Sequence, residues 1–353
     1  ISSKLCPSAS FAATYASDLI LNGNVTFSTT NSPTFSGVIS GTGGGITTAT
    51  TTNNTSVTLG GANIYTGATI VSTGTPASNV GSLRITNADA TLNSSGVTVQ
   101  TGARFEAAVS NAKLANVSVL AGGFLRLTNG QDTGLGATLP TSAIAGTLEI
   151  NNLIGANYDG IQMAAGGTVS ALLSTTYASD LILNGAVTFS AANSPTYSGV
   201  ISGAGSIVTF GTGTLTLNAQ NTYSGGTTLA VTTAIVALGS DSTGTTSGPI
   251  GTGPLNVDVA PTTAIQGVGA TRTISNAVNI DANFNLGGTQ DLIFTGATAL
   301  LSSRSVTTNN TNTTFSGAIT GALALTKLGT GNLIMSGAAP PARTAWAGPG
   351  PGS

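Results

Sequence analysis

Along most of this chain apolar and polar residues alternate at every second position, in runs of about three to five residues. Examples are Ser56-Val57-Thr58-Leu59, Ser82-Leu83-Arg84-Ile85, Gly96-Val97-Thr98-Val99 and Phe124-Leu125-Arg126-Leu127. The pattern continues through Thr147-Leu148-Glu149-Ile150, Thr214-Leu215-Thr216-Leu217, Leu255-Asn256-Val257 and Asn332-Leu333-Ile334-Met335. A period of two sends one set of side chains inward and the other to solvent, so each run predicts a short β-strand. Corners rich in Gly, Asn and Ser separate the runs. Asn22-Gly23 splits Leu19-Ile20-Leu21 from Val25-Thr26-Phe27, and Asn-Gly is a strong turn signal. After Asn31-Ser32-Pro33, the stretch Phe35-Ser36-Gly37-Val38-Ile39 predicts a third strand, closed by Gly41 to Gly45. No long helix is expected. Ala107 to Leu114 comes nearest, but it is short and has no apolar stripe.

One stretch occurs twice. The segments 14–41 and 176–203 are equal in length and differ only at Asn24/Ala186, Thr29/Ala191, Thr30/Ala192 and Phe35/Tyr197. Every other position is identical, and Thr313 to Gly321 (TTFSGAITG) echoes the end of the segment. An antiparallel sandwich would also produce short alternating strands. Uniform strand length, corners unlike two-residue hairpins, and large repeated units favour a parallel β-solenoid, which accommodates repeats by adding coils. At roughly 20–25 residues per coil the chain would make about 14–17 coils, or roughly 70–80 Å at the spacing of paired strands. The organisation expected is an extension over 1–13, a solenoid over 14–338 and a Pro/Gly-rich tail over 339–353. Within the solenoid the repeat units run about 14–175, 176–280 and 281–338.

Composition supports a thin apolar core. Forty per cent of residues are hydrophobic, so the chain is not composed like a disordered one, yet only 6% are charged. The net charge is −2. The nine basic residues are scattered, with none between Arg126 and Arg272, so nucleic acid and anionic membrane surfaces are not expected partners. No apolar run is long enough for a membrane-spanning helix. The single cysteine, Cys6, excludes an internal disulfide framework and a thiolate zinc site.

Candidate chemistry is sparse. Without histidine there is no Ser-His-Asp or Cys-His arrangement and no His-based metal site. Carbohydrate-active β-helices need clustered carboxylates with Lys or Arg. The acids here are Asp18, Asp89, Glu106, Asp132, Glu149, Asp159, Asp180, Asp241, Asp258, Asp281 and Asp291, spread almost evenly along the sequence. Each reads as a turn residue capping a strand end. The Gly-rich stretches 41–45 and 203–205 lack the Lys-Ser/Thr of a phosphate loop and read as corners. Trp346 and the six tyrosines could form a sugar-stacking platform, but Tyr15/Tyr177 and Tyr65/Tyr223 recur at repeat-equivalent positions and read as structural. No catalytic, cofactor-binding or metal-ligating residue is assigned, and no enzyme activity is expected.

Phe210 to Leu229 (FGTGTLTLNAQNTYSGGTTL) resembles the autotransporter-associated β-strand repeat, also called the passenger-associated transport repeat. Ser56 to Val71 (SVTLGGANIYTGATIV) is similar to a degenerate copy, and Leu325 to Ala338 to the start of a third, which ends in APPARTAWAGPGPGS where the family would continue. The resemblance covers about residues 14–338, least clearly 86–170. It implies a right-handed parallel β-helix exported by a bacterium to the cell surface or beyond, and no single biochemical activity. The function expected is an extracellular structural solenoid that associates with itself, head-to-tail or laterally, into fibres or a surface layer. The alternative is the passenger region of an autotransporter-type adhesin with cell-surface or polysaccharide ligands. A carbohydrate-active enzyme ranks third.

Overall fold

The computed structural model describes residues 12–50, 55–73, 81–109, 112, 114, 116–128, 144–150, 161–230, 234–258, 265–321 and 323–338. Among these residues there is no helix, and every strand-to-strand ladder is parallel. The expected parallel β-solenoid is the observed fold, with about 13 turns. The lower number of turns reflects uneven coils. The interval between register partners is short at Thr14/Thr34 and much longer at Thr227/Leu255. The long interval contains an excursion in which Thr243 bridges Ser247 and Gly248 returns to bridge Asn221, both antiparallel.

Two compact units divide the chain. Unit 1 comprises residues 1–172 with 178–180, and unit 2 comprises 173–177 with 181–353. In unit 1 one sheet face runs through Thr14–Tyr15, Thr34–Phe35, Ser56–Leu59, Gly81–Ile85, Ala103–Ala107, Phe124–Leu127, Thr147–Ile150 and Thr168–Ala171. A second, five-stranded face runs through Val25–Thr29, Ile46–Thr50, Thr69–Thr73, Val97–Val99 and Val117–Val119. In unit 2 one face runs from Ala186–Ser190 to Ile319–Thr320. An eight-stranded face runs from Thr176–Tyr177 to Leu325–Leu328, and a four-stranded one from Arg272–Ile274 to Asn332–Met335.

The alternating pattern dictates which side chains meet. In Ala103–Ala107 the residues Ala103, Phe105 and Ala107 are buried, while Arg104 and Glu106 point outward. Phe105 stacks between Leu83 and Leu125, its register partners one coil away on either side. The same rule buries Leu215 and Leu217 and exposes part of Thr214 and Thr216. Aromatic rings continue this stacking: Tyr177 lies 5.5 Å from Tyr197, and Phe294 lies 4.8 Å from Phe315.

The single strand expected over Phe35–Ile39 is corrected by the structure. It is two short strands, Thr34–Phe35 and Ile39–Ser40, broken at Gly37. Gly37 packs against the backbone of Ser17 one coil earlier, and a β-carbon there would overlap it. The site is a corner because only glycine permits that approach. In the segment Ala107–Leu114, Ala107 closes the strand Ala103–Ala107, and residues 110, 111 and 113 lie outside the described residues. The extension up to residue 11, with Cys6, and the tail 339–353, with Trp346, also lie outside them.

Candidate functional site

The residues that carry the family resemblance form a buried clamp. Asn63, Tyr65 and Thr69 in unit 1 are matched by Asn221, Tyr223 and Thr227 in unit 2, and all six are almost wholly buried. Asn63 Oδ1 accepts a hydrogen bond from Ile39 N at 2.9 Å, and its Nδ2 donates to Ala90 O at 3.0 Å. Asn221 does the same between Ile201 N at 2.8 Å and Pro249 O at 2.6 Å. Each amide thus ties its own coil to the one before and the one after, satisfying buried backbone groups that would otherwise be left unpaired. The Tyr65 hydroxyl meets Thr69 Oγ1 at 2.6 Å, and Tyr223 meets Thr227 Oγ1 at 2.5 Å. Burial pushes both phenols above their ordinary value, because the charged form would lose water. Gly67 and Gly225, within the two motifs, lie against the backbones of Gly44 and Gly205 with no room for a β-carbon. The polar atoms of the motif face the protein itself, which makes it a coil-to-coil fastener.

Several aspartates hold corners. Asp18 Oδ1 accepts from Val38 N, Asp241 Oδ1 from Thr273 N and Asp291 Oδ1 from Asn312 N, each at 2.8 Å and each linking one coil to the next. Asp281 accepts from Ser302 Oγ at 2.6 Å and lies 3.8 Å from Arg304. Asp89 sits in a turn where its N–H donates to Asn87 Oδ1 at 2.9 Å, and Asp258 is exposed just after Leu255–Val257. Asp180 contributes its carbonyl to Ile161 N at 3.2 Å. Asp132 and Asp159 lie outside the described residues. Among the described residues no three of His, Cys, Asp or Glu gather in one place.

The two glutamates depart from the even spread expected. Strand register places Arg84, Glu106, Arg126 and Glu149 in one outward column on four successive strands of unit 1. Arg104 stands in the neighbouring column, followed by Phe124 and Thr147. Glu149 Oε2 accepts from Arg126 Nε at 2.7 Å and from Arg104 Nε at 3.1 Å, and Arg104 Nη2 reaches Glu149 Oε1 at 3.4 Å. Arg104 also lies over the Phe124 ring, 5.5 Å from its centroid. Glu106 and Arg84 are looser partners at 3.8 Å, and the Arg84 side chain is 46% exposed. Three of the chain's nine basic residues and both of its glutamates therefore share one face.

A signal for this face was available. Arg84, Glu106, Arg126 and Glu149 follow one another at intervals each close to one coil. Glu106 and Glu149 stand two strand spacings apart, roughly 10 Å, with Arg126 between them. That arrangement puts a guanidinium, paired to Glu149, at the column position between the two carboxylates. Its resources are guanidinium donors and carboxylate acceptors in alternation, suited to holding a polar ligand.

None of the family models, curated proteins or solved structures compared with this chain matches it.

Proposed function

We propose that the protein is an extracellular structural β-solenoid that associates with itself into fibres or a surface layer. One observation carries this reading: the outward columns of the parallel sheets are largely uncharged and in register. On the five-stranded face of unit 1, Thr26, Thr47, Ile70, Thr98 and Ser118 form one such column. In unit 2, Thr273, Ile293, Thr314 and Ile334 form another. A chain whose net charge is only −2 has little long-range repulsion to keep such faces apart. The resemblance to surface-exported repeats agrees with this placement. Electron microscopy and sedimentation across a range of concentrations test it. The expected result is ordered assemblies that grow with concentration and are weakened by Ile70→Lys, which sets a charge in the middle of the flat face. Wild-type protein that stays monomeric at every concentration overturns the reading.

A second reading, ligand binding of the kind an adhesin performs, is favoured by one specific feature, the Arg/Glu face of unit 1.

A further inference from the structure

We propose that the outer face formed by Gly81–Ile85, Ala103–Ala107, Phe124–Leu127 and Thr147–Ile150 binds an acidic polysaccharide, with Arg84 and Arg126 receiving its carboxylates. The proposal rests on the ligand-binding reading and is independent of self-association.

Charge favours such a ligand. The face holds three guanidiniums against two carboxylates, a local excess of one positive charge in a chain whose net charge is −2. The arginines also have unused bonding capacity. A guanidinium carries five N–H donors. Among the described residues Arg84 donates no hydrogen bond, although it is nearly half exposed, and Arg126 donates only through Nε. The Nη groups of both Arg126 and Arg84 are therefore available for bidentate contact with a carboxylate.

Spacing points the same way. Arg84 and Arg126 occupy the same column two strands apart, roughly 10 Å, with Glu106 between them. Each pyranose of an extended polysaccharide advances the chain by about one strand spacing, so acidic groups on alternate sugars would meet both arginines. The sugar between them would present hydroxyls, and the Glu106 carboxylate is an acceptor for hydroxyls. Alternation of this kind disfavours a polyphosphate. Nucleic acid carries a charge at every unit, and Glu106 and Glu149 would face phosphates with like charge. The neighbouring column adds the Phe124 ring and the Thr147 and Thr168 hydroxyls, a mixture that suits sugar rings.

Calorimetric titration of the full chain at low ionic strength tests the proposal, using a hyaluronan oligosaccharide, whose carboxylates lie on alternate sugars, a neutral glucan oligomer and double-stranded DNA. The expected result is binding of the hyaluronan oligosaccharide that weakens as salt is raised. Arg84→Gln should lower that affinity roughly tenfold with an unchanged circular dichroism spectrum. Arg84→Lys should lower it less, and the control Lys327→Gln should leave it alone. Because Arg126 supports Glu149, Arg126→Gln is informative only if it folds; Arg84 is exposed enough for its variants to carry the test unaided. Equal binding by wild type and Arg84→Gln, or tighter binding of DNA, overturns the proposal. Equal binding of the neutral glucan also overturns it while leaving the ligand-binding reading standing. No binding of any of the three probes counts against both.

Discussion

The two copies of the duplicated stretch differ at only four positions yet live in different surroundings. Their ladders are the same: Thr14 pairs with Thr34 and Leu19 with Ile39 in unit 1, and Thr176 pairs with Thr196 and Leu181 with Ile201 in unit 2. Burial differs. Tyr15 stacks on Phe35 at 5.2 Å but remains 38% exposed, whereas Tyr177 is 1% exposed and its hydroxyl donates to Leu173 O at 2.9 Å. The corner that follows is also one position shorter in the second copy. Val25 pairs with Ile46, whereas its counterpart Val187 pairs with Ile207. Near-identical sequence therefore specifies the strands and their partners one coil on, while the sheet that each strand joins differs, as Val25–Thr29 and Ala186–Ser190 show. How deeply a side chain is buried depends on what is stacked against that coil.

Alkaline pH should widen this contrast most, since it acts on several residues at once. Burial raises the phenols of Tyr177, Tyr197 and Tyr223 in unit 2, and of Tyr65 in unit 1. A folded-state value above the unfolded value of 10.0 means the fold favours the protonated phenol. The corresponding stability is fully present below pH 10 and is lost as pH rises through 10 toward the folded values. Unit 2, with three such groups, should lose structure at a lower pH than unit 1. Amide exchange mapped along the chain as pH is raised would show this, and simultaneous loss in both units would break the comparison.

Tyr177→Ala should cost about 3–5 kcal/mol, the usual range for removing a large buried ring. Tyr15→Ala should cost less than about 1 kcal/mol, because its ring is partly solvated. Chemical denaturation of the two variants is the check, and equal losses would mean the copies are energetically alike. Next in size, Asn221→Ala should cost roughly 3 kcal/mol, since it strands the Ile201 N–H and the Pro249 carbonyl together. Asn63→Ala should match it within about 1 kcal/mol if the two clamps are equivalent fasteners.

A smaller difference separates the polar columns. Glu149→Gln leaves two guanidiniums competing for a neutral amide and should cost about 2 kcal/mol. In unit 2 the corresponding kind of contact is neutral: Asn279 Nδ2 donates to Asn256 Oδ1 at 2.8 Å. Asn256→Ala should cost less than about 1 kcal/mol. The last expected effect has the opposite sign. The Tyr197 hydroxyl is buried and has no hydrogen-bond partner among the described residues. Unit 1 carries Phe35 at the equivalent place. Tyr197→Phe should therefore be neutral or raise stability by about 1 kcal/mol, read as a shift in denaturation midpoint. A clear loss would show that the hydroxyl is satisfied by water.

Much of the fold was legible in the sequence. The period of two located strands along the length of the chain, from Ser56–Leu59 to Asn332–Met335, and the recurrence of Tyr65 as Tyr223 marked the clamp as structural. Phe35–Ile39 failed because a local apolar pattern carries no information about the Ser17 backbone lying against Gly37. The Arg/Glu face was half legible. The intervals from Arg84 to Glu106, Arg126 and Glu149 hinted at a column, but coil length varies, as the pairs Thr14/Thr34 and Thr227/Leu255 show. A slip of one residue in a strand reverses inside and outside, so counting along the chain cannot establish register.

The chain's own residues determined a parallel β-solenoid, its alternating core, its glycine and asparagine corners and the clamp repeated in both units. Those features depend on short-range steric and hydrogen-bonding preferences that recur in every coil. Only the tertiary structure decided which residues a full coil apart share a column, and so that Arg84, Glu106, Arg126 and Glu149 stand together. It also decided that Tyr177 is buried while Tyr15 is not. Both outcomes depend on the length of every intervening corner and on the coil packed alongside, which are properties of the stacked whole.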